Sequence, residues 1–165
     1  MSLWAYSSWS SASTIADASA IGSKTQQDAS VDTDGVGWFV SWNGQDATYT
    51  ANSQIQYRHY NGTGWEAREV INGTSATRFV DASIIVINGL PHVIARMNVP
   101  TETTLYSNRV NGSWLSWKKF NLTNTSSSNA GVSIGYNGTT LFAVWTGTSP
   151  NNASNCILYS TTTNN

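Results

Sequence analysis

Five side chains carry the clearest chemical potential in this sequence. Trp65, Trp114 and Trp117 follow Asn-Gly turns, and Arg58 and Arg109 stand a few residues ahead of the first two. An indole face stacks on the C–H face of a sugar ring while a guanidinium donates to its hydroxyls, so this set reads as carbohydrate-binding. Trp4 and Trp9, near the start of the chain, would extend it. The competing use is structural: aromatics at repeated positions commonly glue neighbouring sheets.

Other chemistries find less support. His59 and His92 lie far apart with no His or Cys at ligand spacing, so no transition-metal site is expected. The stretch "DTDG" (32–35) lacks the further acidic ligands of a calcium loop and reads as a hairpin turn. No Gly-x-Ser-x-Gly elbow and no glycine-rich phosphate loop occurs. Glu66 and Glu69 flank Arg68 on an expected outer strand, where a solvated charged edge is anticipated. The reading is therefore non-enzymatic, with no catalytic residue, metal or cofactor. Charged residues are 10% of the 165 and the net charge is −1, which argues against nucleic acid and anionic membranes as partners. The single Cys156 excludes an internal disulfide, and no apolar run approaches the ~20 residues of a membrane helix.

Short strands must position these residues. No window keeps apolar residues at helical spacing, whereas strand-like runs recur in threes. "ASVDTDG", "ASIIVING" and "GVSIGYNG" each end in a glycine turn. They are followed by "GWFVSW", "LPHVIAR" and "TLFAVW", then by "IQYRHYNG", "LYSNRVNG" and "ILYSTTTNN". Gly35, Gly89 and Gly138 are 54 and 49 residues apart, as are Trp42, Arg96 and Trp145, while Tyr57, Tyr106 and Tyr159 are spaced 49 and 53. The middle run of each unit is apolar on both faces, which suits sheets covered on both sides. Arg96, in the column of Trp42 and Trp145, is expected between sheets with its stem on an aromatic. The pattern predicts an all-β chain of stacked four-stranded sheets, a β-propeller built of three blades.

The strings "ILYSTTT", "LYSNRVNGSWLSW" and "IQYRHYNGTGW" resemble the sialidase-like repeats of bacterial and fungal β-propellers. They are also similar to propeller lectins and to catalytically silent modules attached to glycoside hydrolases. Sialidase repeats carry Ser-x-Asp-x-Gly-x-x-Trp. The nearest stretches here, "RHYNGTGW" and "SNRVNGSW", have Asn before Gly and no Asp in place. A retaining sialidase also needs three arginines gripping a carboxylate and a Tyr nucleophile with an acidic partner. Arg58, Arg68, Arg78, Arg96 and Arg109 do not recur at one repeat position, so no catalytic residue carries over. The resemblance implies a lectin-like fold and use.

The organisation expected is an outer strand and connector over 1–27, then blades over 28–80, 81–128 and 129–165, the last lacking its outer strand. Propellers use about 4–8 blades, and six is the multiple of three in that range. The expected partner is a second copy, forming a six-bladed two-fold homodimer in which "LWAYSSWSSA" (3–12) completes the partner's third blade. The leading function is a lectin-like module with glycans in the clefts between blades. A self-assembling scaffold, or a piece of a larger propeller without ligand, is the first alternative and a glycoside-hydrolase-like enzyme the second. Seven Asn-x-Ser/Thr sequons, at Asn61, Asn72, Asn111, Asn121, Asn124, Asn137 and Asn152, would be loop glycan sites in a secreted protein, and an extracellular setting is expected.

Overall fold

The computed structural model describes residues 10–15, 26–99, 102–120, 131–147 and 156–163. Most of the expected N-terminal outer strand, with Trp4 and Trp9, lies outside the described residues, and 10–15 carries no strand. The sequons at Asn121, Asn124 and Asn152 also lie outside.

The described residues are all-β, in three antiparallel sheets none of which closes on itself among those residues. Sheet 1 runs β1 (Gln26–Thr33), β2 (Trp38–Gly44), β3 (Gln54–Tyr60), β4 (Glu69–Val70). Sheet 2 runs β5 (Arg78–Ile87), β6 (Leu90–Val99), β7 (Thr103–Val110), with β8 (Ser113–Trp114) and β9 (Lys118–Lys119) both on β7. Sheet 3 is β10 (Val132–Tyr136), β11 (Thr140–Gly147), β12 (Cys156–Thr163). Strand order follows chain order in each.

Turn chemistry sets these hairpins. Asn88–Gly89 and Asn111–Gly112 both hold positive φ, at 52° and 74° and at 50° and 79°, which is the two-residue turn that matches strand twist. Loops 34–37 and 137–140 are longer. There the Asp34 Oδ1 accepts the N–H of Val36 and Gly37, and Asn137 Oδ1 accepts those of Thr139 and Thr140. Only the glycine of each pair, Gly35 or Gly138, then needs positive φ.

The sheets stack in sequence. β5 packs beside β1 on one side and β10 on the other, so first strand neighbours first strand. The backbone N–H of Ile84 donates to Ser30 Oγ at 3.2 Å and that of Val86 to Asp32 Oδ2 at 2.7 Å, ruling β5 against β1. Phe39, Ile55 and Tyr57 of sheet 1 bury against Ala82, Ile84, Val93, Ala95 and Leu105 of sheet 2. On sheet 2's other face Ile94 buries against Ala143 and Trp145 of sheet 3. Each large apolar side chain so covered contributes about 1.5–3 kcal/mol. We call the face toward the following sheet forward and the opposite one rear.

The pairing corrects one sequence alignment. Ser41 pairs with Tyr57, Ile94 with Tyr106 and Val144 with Tyr159, so the three tyrosines are equivalent and all point forward. One residue further on, the counterparts of Trp42 and Trp145 are therefore not Arg96 but Ala95. Ala95 faces sheet 1, as Trp145 faces sheet 2. Arg96 points forward and its guanidinium is held by Asp81 Oδ2 at 2.8 Å and by Glu102. The cause is the turn: sheet 2 keeps one more cross-strand pair, Ile87 with Leu90, around its two-residue hairpin, so its glycine sits one place late.

Candidate functional site

The five expected ligand-binding residues fall into two groups. Trp114, Trp117 and Arg109 lie at the seam between sheets 1 and 2. Trp65 and Arg58 lie on the rear face of sheet 1.

At the seam, β3 supplies Tyr57, β4 supplies Glu69, β7 supplies Arg109 and β8 supplies Trp114. Arg109 and Trp114 are cross-strand partners and so project to the same side, onto sheet 1. Arg109 makes a forked pair with Glu69, Nη2 to Oε1 at 2.8 Å and Nε to Oε2 at 3.2 Å. The Trp114 indole N–H donates to the same Oε2 at 2.9 Å. Its ring meets Tyr57 edge-on at 5.1 Å and 78°, and the Arg109 guanidinium carbon stands 6.0 Å from the Tyr57 centroid. Burial pushes the Tyr57 hydroxyl pKa well up, against the opposing pull of Arg109, so it stays protonated. The Arg109 and Glu69 side chains remain 27% and 31% exposed, which opens the fork to solvent at the seam's mouth.

Trp117 sits deeper. Its indole N–H donates to the Ile71 carbonyl at 3.2 Å, and its ring tilts onto Phe79 at 5.2 Å. Glu69 is thus not the solvated edge expected of it. Glu66 Oε2 stands 3.2 Å from His59 Nδ1, and Arg68 reaches Asp46 at 2.9 Å and Gln56 at 2.7 Å. Burial raises the Asp46 pKa, but the Tyr49 N–H, Arg68 and the Thr48 N–H outweigh it and hold the carboxyl below its ordinary value.

On the rear face of sheet 1, Trp65 bridges back to Tyr60 and lies edge-on to its ring at 5.4 Å. Arg58 stands 5.9 Å from the Trp65 centroid, a cation over an indole. Its Nε donates to the Glu66 carbonyl and its Nη1 to the Ile15 carbonyl, each at 2.7 Å. Trp65 and Trp114 hold equivalent positions, because their cross-strand partners Tyr60 and Arg109 are 49 residues apart, as Tyr57 and Tyr106 are.

Glu69 and Tyr57 are the partners that sequence reasoning missed. Their only signal was that β4 follows β3 closely enough to share an edge with the next sheet. Among the described residues, no group of three His, Cys, Asp or Glu side chains could hold a metal ion. No helix there is long and apolar enough to cross a membrane. Comparison with protein-family models and with curated proteins finds no match.

Proposed function

We propose that the three sheets are consecutive blades of a sialidase-like β-propeller that two copies of the chain close into a six-bladed ring. In this reading the protein is a non-enzymatic, lectin-like carbohydrate-binding module. The shared strand order, the neighbouring first strands and the forward-to-rear stacking support the propeller reading.

One observation carries the carbohydrate reading: a forked donor–acceptor pair, Arg109 with Glu69, beside an indole at a partly open seam. Neighbouring hydroxyls of a sugar ring demand a donor and an acceptor side by side, and charged partners make the stronger bonds. The fork uses two of the five guanidinium N–H groups, and a carboxylate accepts more bonds than the three Glu69 makes here. Trp114 supplies the apolar wall. Related seams around a ring would add weak single sites into useful avidity.

A glycan array followed by titration on tryptophan fluorescence tests this. Binding should fall at least tenfold in Glu69→Gln with the sheet signal intact. A folded protein that binds no glycan would leave the scaffold reading, which has its own support: the indole N–H groups of Trp114 and Trp117 are already bound, to Glu69 of β4 and to the carbonyl of Ile71 just after it. Turnover of a fluorogenic glycoside would overturn the non-enzymatic part.

A further inference from the structure

The forward faces of the three sheets carry one recurring pair. Phe39 and Tyr57 sit diagonally across β2 and β3, with centroids 6.5 Å apart. His92 and Tyr106 repeat the arrangement at 6.0 Å, and Phe142 and Tyr159 at 5.4 Å. Sheets 1 and 3 share a third member, since Ile55 and Ile157 stand two residues before their tyrosines. In sheet 1 this triad is sealed by sheet 2, leaving Phe39 4%, Tyr57 3% and Ile55 0% exposed. In sheet 3 the same triad is bare: Phe142 42%, Tyr159 67% and Ile157 72%.

What seals the first triad is the apolar rear face of sheet 2, where Ile84 pairs with Val93. The equivalent pair on sheet 1 is Val31 with Val40, flanked by Trp38. Val31 and Trp38 are 58% and 51% exposed, while Val40 and Trp42 on the same face are already buried within the chain. Ile15 reaches this face beside Arg58 and leaves its hairpin end open. The molecule thus shows a bare forward surface at one end and, at the β1–β2 hairpin, the open part of a matching rear surface at the other. We propose that the forward face of sheet 3 docks on the rear face of sheet 1 of a second copy, reproducing the seam between sheets 1 and 2.

The inference rests on the two-copy reading above and names the surfaces that would join. Tyr159 lies under Val31 of the other copy, as Tyr57 lies under Ile84. Trp65 of the other copy stands edge-on to Tyr159, as Trp114 does to Tyr57. Ser133, the counterpart of Ser30, faces the Val31 backbone. Two such junctions complete the circle, which leaves no large apolar face in solvent.

Sedimentation should give twice the 17.8 kDa mass at micromolar concentration. Phe142→Ser combined with Tyr159→Ser should return it to a single copy with unchanged circular dichroism, because both residues are exposed within one chain. In a Cys156→Ser background, Ser133→Cys together with Val31→Cys should give a covalent dimer on oxidation, and neither cysteine alone should. A folded single copy throughout would overturn both the two-copy reading and these faces. A dimer indifferent to the Phe142 and Tyr159 changes and without the cross-link would overturn the faces alone. Cross-linked ladders beyond two copies would refute the closed ring.

Discussion

The seam between sheets 1 and 2 and the seam between sheets 2 and 3 use equivalent strands but are not equally closed. In the first, β8 of the following sheet carries Trp114 onto Tyr57, and eleven buried residues form one cluster. Trp117, just before β9, packs on Phe79 of its own sheet and donates across to the Ile71 carbonyl. In the second, three fully buried residues, Ile94, Ala143 and Trp145, form the centre, with half-buried Phe120 and Leu158 around them. Tyr106, the counterpart of Tyr57, borders a cavity of about 310 Å³ lined also by Lys118, Phe120, Leu141 and Thr162. Among the described residues no strand pairs with the free edge of β12. The difference teaches that the two inner hairpins bring sheets together, while the outermost strand of the following sheet seals the junction.

The largest test of that contrast is Phe79→Ala. The closed seam has no room to relax, so the loss should be about 3–5 kcal/mol by urea unfolding, whereas Phe120→Ala beside the cavity should cost markedly less. Glu69→Ala comes next. It strips Arg109 and Trp114 of their shared acceptor at a partly exposed site, and about 1–2 kcal/mol should disappear in the same assay. Trp114→Phe keeps one aromatic ring beside Tyr57 but removes the bond to Glu69 and part of the indole face, for about 1 kcal/mol, with glycan binding weakened as well. The smallest effect is a pH slope from the second seam. Burial lowers the pKa of His92 from its ordinary 6.5, so the folded chain resists its protonation. The stability it contributes is present above 6.5 and falls as pH drops through the lower folded value. His92→Phe, which copies the pair in sheets 1 and 3, should flatten that slope, read as Tm against pH.

Much of the architecture was legible because turns and alternation are local. Asp34, Asn88, Asn111 and Asn137 mark their hairpins, and the column of tyrosines identifies equivalent strands. What failed was the alignment through the glycines. Asn-Gly at 88–89 closes a two-residue turn, while Asp-Gly at 34–35 and Asn-Gly at 137–138 open four-residue loops, so one dipeptide marks different places. Side chains alternate sides with every residue, and a slip of one assigned Arg96 to the wrong surface. The seam cluster was half visible. Trp114 and Arg109 stand out as residue types, but Glu69 was hidden, because its role depends on which sheet lies behind it and not on its neighbours in sequence.

β6 has oily side chains on both flanks: Val93, Ala95 and Met97 toward one neighbour and Ile94 toward the other. The two flanks are not interchangeable, because His92 and Arg96 share the side of Ile94. A single-residue insertion or deletion there would pull Arg96 away from Asp81 and Glu102 and turn it into the dry cluster of Phe39 and Ile55. The ribbon in the middle of the stack can exchange one oily side chain for another, but it cannot shift its frame.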